Sequence, residues 1–103
     1  MKKTYFTITR MRYSWGSEFL KEGMIVRLVK EPENLSDNEA IRVEMRGLGK
    51  IGYDAASPHT RIGKSVSAGR LGTEFDKVAF GKVLYIMHNG AVCEFIKKKV
   101  VRL

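Results

Sequence analysis

Residues 24–45, MIVRLVKEPENLSDNEAIRVEM, hold two apolar alternations on either side of a polar connection. In the first run Met24, Val26 and Leu28 share one side. In the second Ile41 and Val43 do, with Arg42 and Glu44 opposite. A period of two is the mark of strands that bury one face. Between the runs Pro32 lacks a backbone donor and biases Glu31 toward an extended conformation. Asn34, Ser36, Asp37 and Asn38 hydrogen-bond their own backbone and favour turns over ladders. The stretch therefore predicts two strands joined by a structured polar loop, too long for a two-residue hairpin turn. A loop of this composition is either a turn that satisfies itself or a rim that touches a ligand.

Outward from this centre the strand period continues. In residues 4–13, TYFTITRMRY, the side chains of Phe6, Ile8, Arg10 and Arg12 fall on one side, and those of Tyr5, Thr7, Thr9, Met11 and Tyr13 on the other. Gly16 breaks this strand, Ser17 suits the cap of a short turn through Lys21, and Gly23 ends that turn. Residues 46–49 (RGLG) read as a glycine turn into a short fourth strand over Lys50–Tyr53. Residues 54–77 break the pattern. Pro58 bars helix at Ser57, and Gly63, Gly69 and Gly72 weaken any long helix. Ile62, Val66, Leu71 and Phe75 still give an apolar stripe suited to one or two short helices. Val78–His88 is the longest β run, with Phe80, Leu84 and Ile86 on one side and Val83, Tyr85 and Met87 on the other. It is expected to be covered on both faces. Asn89-Gly90 is a strong hairpin signal, and Ala91–Ile96 returns as the last strand. The expectation is one domain over 1–103, with its core at about 5–96 and a basic C-terminal tail at 97–103. Its class is mainly β with a short helical insert (β+α): a small antiparallel barrel of five to six strands.

Composition supports a folded chain. Of 103 residues, 44% are apolar and 10% aromatic, and one modest core is what this length allows. No window approaches the roughly 20 apolar residues of a membrane span, and the start MKKTYFTITRMR is too interrupted for a secretory signal. A single cysteine, Cys93, excludes an internal disulfide and a cysteine-based zinc cluster. A cytoplasmic location and no membrane association are expected. The formal charge is +8, and it is uneven: residues 1–54 carry ten basic and eight acidic groups, residues 55–103 nine basic and three acidic. Four acids, Glu31, Glu33, Asp37 and Glu39, crowd into the central loop, so the positive field lies around the later segments and Arg10–Arg12. A basic domain of this size meets nucleic acid or another polyanion through phosphate neutralisation.

Three blocks of residues together resemble the HIRAN domain family, found within helicase-like ATPases and as small stand-alone bacterial proteins. They are Arg12-Tyr13 followed by Gly16; Glu31-Pro32-Glu33-Asn34 with Asp37 and Ala40-Ile41; and Ile51-Gly52-Tyr53. The resemblance spans about residues 5–96. It implies an OB-like β-barrel that binds DNA, in the best-understood members a single-stranded 3′ end; from the residues themselves, which include no Walker-type loop, no catalytic activity is expected. Carried over, Arg12 contacts phosphate, Tyr13 stacks on a base, and Asn34 and Asp37 lie beside the terminal nucleotide. There Asp37 is suited to accept a hydrogen bond from a free 3′-hydroxyl. DNA-binding members carry an aromatic residue just before the loop aspartate; this chain has Ser36. Base–aromatic stacking is worth roughly 1–3 kcal/mol, so Tyr13, Trp15 or Tyr53 would have to supply it.

From residue types alone, Arg10 and Arg12 are candidates for phosphate contact and Trp15 for packing or stacking. Lys50, Lys64 and Arg70 are candidates for the nucleic-acid backbone. His59 and His88 have no partners at metal-ligand spacing, so neither a metal nor a cofactor is expected. Cys93 reads as a small buried hydrophobe. Gly63-Lys64-Ser65 ends like a phosphate loop but lacks the preceding glycine and strand. A protein partner such as a helicase or nuclease is compatible with these features. The alternative from another class is an adaptor that docks a protein on an exposed strand edge.

Overall fold

Leu28 and Val43 face each other across the two strands that the polar loop joins. In the computed structural model, which describes residues 3–9, 20–56, 61–88 and 90–96, these are β2 (Ile25–Lys30) and β3 (Ile41–Met45). The alternation holds as expected: Val26, Leu28, Ile41 and Val43 have no exposed surface. With β1 (Tyr5–Thr9), β4 (Gly49–Asp54), β5 (Val78–Met87) and β6 (Gly90–Ile96) they close a six-strand antiparallel barrel in the order β1-β4-β3-β2-β5-β6. Apolar side chains from all six strands fill it, including Phe6, Ile8, Ile51, Val83 and Cys93. Ile51 gains its place through a bulge. Gly52 pairs with Val43 and Lys50 with Glu44, so Ile51 is the extra residue on β4, and it is buried.

The helical insert is one turn, α1 (Ala68–Leu71), capped by Ser67, whose hydroxyl accepts the Arg70 N–H at 3.3 Å, followed by a 3-10 turn over Gly72–Glu74. Leu71 is in the core, with Val66 and Phe75 packed against it. No described helix is long and apolar enough to cross a membrane.

Three features go beyond or against the sequence reading. Thr7, on the outward side of β1, is fully buried, because residues 61–67 lie over it. The Ile62 N–H donates to Thr7 Oγ1 at 3.0 Å, and Ser65 Oγ donates to the Ile62 carbonyl at 2.9 Å. A hydroxyl has one proton, so the 2.7 Å contact between the two hydroxyls has Thr7 as donor. The result is a closed relay that fastens loop to strand.

Next, β5 is not covered on both faces along its length. Val83 pairs with Cys93 and Tyr85 with Val92, so Leu84 is an unpaired bulge residue. The bulge shifts the side-chain phase: Val83 and Ile86 now share the inward side, and Tyr85 and Met87 point outward. Tyr85, Ile86 and Met87 are all exposed, because the hairpin extends beyond the packed core. Met87 pairs with Gly90, so the expected hairpin forms, but Gly90 already belongs to β6, one residue earlier than the Asn89-Gly90 turn suggested.

Finally, each of the six strands has two paired neighbours. The β1–β4 seam is short among the described residues, Ile8 with Asp54 and Thr9 with Tyr53, so closure limits the edge that a strand-edge adaptor could use.

Candidate nucleic-acid interface

The loop between β2 and β3 folds on its own short side chains. Asn34 Oδ1 accepts the N–H groups of Ser36 at 2.9 Å and Asp37 at 3.1 Å, and Asp37 Oδ1 accepts the Glu39 N–H at 2.9 Å. Backbone bonds from Asn34 to Glu31 and from Ala40 to Asp37 close it into two successive turns. This is the self-satisfying turn that the residue types permitted. It presents Ser36 and Asp37 to solvent and leaves Leu35 fully exposed.

Glu31, at the base of this loop, holds the site together. Its carboxylate accepts from Asn34 Nδ2 at 2.9 Å, from Arg42 at 3.1 Å and from the Tyr53 hydroxyl at 3.2 Å. Burial works to raise its carboxyl, but the hydrogen bonds from Asn34, Tyr53 and Arg42 outweigh it and hold the group below the ordinary carboxylate range. Arg42 reaches back to Glu44 at 2.8 Å, and Glu44 also takes the Arg27 guanidinium. Burial again works upward on Glu44, and the two arginines again prevail. On the neighbouring strand Lys50 Nζ sits 5.0 Å from the centroid of the Tyr53 ring, within cation–π range. Tyr53 pairs with Thr9, the last residue of β1.

The sequence candidates therefore divide into three sets. Asn34, Ser36, Asp37, Lys50 and Tyr53 share one region on β4 and the β2–β3 loop, built around Glu31. Lys64 and Arg70 belong to another. With Arg61 they line a cavity of about 460 Å³ over the loop that covers Thr7. Arg10, Arg12, Tyr13 and Trp15 lie outside the described residues, as does His59. Sequence reading missed Glu31 as the hub, since a loop glutamate among three other acids carries no sign of its partners. It also missed Arg61, Leu35 and the outward turn of Tyr85.

Cys93 is fully buried, as expected. Burial, together with the nearby Asp54 carboxylate, pushes its thiol up to about 12, so it is no thiolate at neutral pH. Asp54 itself was not singled out by the sequence. It points into the barrel opposite Ile8 and is only 4% exposed, and neither carboxylate oxygen meets a hydrogen-bond donor in good geometry. Burial pushes its carboxyl up to about 8, against a smaller pull from the backbone at Thr7 and Ala55.

Comparison with known proteins adds to this geometry. A crystal structure of a protein from Lactobacillus plantarum superposes with a TM-score of 0.64 at 22% identity, over 89% of this chain and 88% of that one. At that identity the likeness shows the fold alone. Among curated proteins no relative matches. The profile of the HIRAN domain matches residues 1–62, which take in the polar loop, the Glu31 hub and Tyr53. Since that span is more than half of the chain, the protein belongs to the HIRAN domain family.

Proposed function

We propose that this protein is a non-enzymatic module that binds single-stranded DNA on the face formed by β4 and the β2–β3 loop. HIRAN membership points to nucleic-acid binding at the level of the family. The observation that carries the finer reading is the convergence of Asn34, Tyr53 and Arg42 on Glu31. Residues far apart in sequence are thereby fixed into one rim before any ligand arrives, which lowers the entropy lost on binding. In this reading the Tyr53 ring, with Lys50 over it, receives a base. Asp37, exposed at the rim, accepts a hydrogen bond from a free 3′-hydroxyl. Ser36 offers no ring for stacking, and the exposed Leu35 beside it supplies apolar contact to the terminal base instead. Arg10, Arg12, Tyr13 and Trp15 follow the strand end next to Tyr53 and are assigned to phosphate and base contacts.

Fluorescence anisotropy with a short labelled strand tests this. A strand with a 3′-hydroxyl is expected to bind at least tenfold tighter than one with a 3′-phosphate and tighter than duplex. Asp37→Ala should abolish the difference between the two ends, and Leu35→Ala should weaken both single strands. Equal affinity for both ends would remove the role given to Asp37. No binding at low salt would remove the DNA reading.

A further inference from the structure

We infer that the cavity over residues 61–70 is a second anion site, one that takes a terminal phosphate monoester. Arg61, Lys64 and Arg70 line it together with Gly63, Ser65, Val66 and Ser67, and no carboxylate is among the lining residues. The contrast with the Glu31 site is informative, although the turn that carries Arg70 packs against the β2–β3 loop, with Glu39 beside Gly69. At the Glu31 site Arg27 and Arg42 are neutralised by Glu31 and Glu44. Among the described residues, no ion pair involves Arg61, Lys64 or Arg70. The Arg61 guanidinium donates from Nη1 to the Ser65 carbonyl at 3.4 Å, a neutral acceptor that leaves its positive charge unpaired, while its Nε is sealed from solvent. Three cations gathered around one concavity repel one another, and an anion seated among them relieves that repulsion.

The loop is also held in place. The Thr7–Ser65–Ile62 relay fastens one end. Backbone bonds from Val66 to Tyr5 and from Ala68 to Ala55 fasten the middle, and Ser67 caps the turn that carries Arg70. A site whose backbone is fixed before binding loses less entropy on capture. A monoester carries about −1.5 to −2 charges at neutral pH and three acceptor oxygens, which suits three cations better than the single charge of an internal diester. The volume, about 460 Å³, lies within the range of small-ligand pockets, roughly 300–1,000 Å³. It leaves room for a nucleoside attached to the phosphate. Residues 63–70 lie beyond the span matched by the family profile, so the site is argued from this chain's own residues.

The site does not depend on strand binding at the Glu31 face, and its test uses a probe that does not engage that face as a strand would. Inorganic phosphate is titrated into the whole protein at constant ionic strength and followed by amide NMR. The expected result is a saturable shift confined to residues 61–70. Lys64→Ala and Arg70→Ala, both at exposed positions, should each weaken it at least fivefold, while Lys82→Ala, at an exposed position on β5, should leave it unchanged. Shifts that fail to saturate, or that spread evenly over the basic surface, would overturn the proposal. Parallel titrations with a nucleoside monophosphate and with 5′-phosphorylated against 5′-hydroxyl strands distinguish a free nucleotide from a strand end. A response to neither form of monoester would also overturn it.

Discussion

Asp54 is a buried residue whose charge state bears on the stability of this barrel. Its carboxyl stands near 8 when folded and near 3.8 when unfolded. A group raised in this way adds stability that is fully present below its unfolded value and lost as pH rises through its folded one. The barrel is therefore expected to lose on the order of a few kcal/mol between pH 4 and pH 8 from this residue. Asp54→Asn should flatten that trend and raise stability at pH 8, because a neutral amide is less costly to bury than a charge. Urea midpoints at pH 4.5 and 8 read the effect directly; a wild-type midpoint independent of pH would contradict it. Glu31 and Glu44, held low, act in the opposite direction, losing their contribution only at more acidic pH. Thr7 gives a second prediction at this scale. Thr7→Val keeps the shape but leaves the Ile62 N–H and the Ser65 hydroxyl without their partner, at about 1–3 kcal/mol. Faster amide exchange across residues 61–67 should accompany the loss.

Elements in this barrel meet at glycines. A Cβ on Gly81 of β5 would lie 2.5 Å from Phe6 Cζ, and Phe6 is fully buried and unable to swing away. A Cβ on Gly90 of β6 would lie 2.5 Å from the Ile8 carbonyl, and its φ of 156° lies at the edge of the region that side chains avoid. Gly81→Ala should destabilise by about 1–3 kcal/mol or more, read as a fall in thermal midpoint. Gly23→Ala is the contrast: the added methyl meets nothing within 4 Å, but φ is 91°, so the penalty there is backbone strain alone. The strands themselves were legible wherever alternation was clean. The inward sets of β2 and β3, and the turn into β4, follow from the spacing of Val26, Leu28, Ile41 and Val43. The bulges were not, because Ile51 and Leu84 look like ordinary strand residues. Their displacement arises from the registers of their neighbours.

For the whole molecule the charge asymmetry sets the expected ligand behaviour. Strand binding that neutralises about four phosphates should weaken with salt at a log–log slope of about −3. A slope near zero in a salt titration would be inconsistent with phosphate contact. What the sequence by itself determined is the mainly β class, the polar turn-rich connection at Asn34–Asp37, the hairpin around residue 89, the buried Cys93 and the family. All of these rest on local periodicity, turn chemistry or motif spacing, which are properties of neighbouring residues. Only the tertiary structure decided the order in which the six strands close into a barrel, that Thr7 and Asp54 are buried, that Asn34, Arg42 and Tyr53 meet at Glu31, and that Arg61, Lys64 and Arg70 share one cavity. Those outcomes depend on which strand lies beside which, and in a closed antiparallel barrel that is fixed by packing between residues dozens of positions apart.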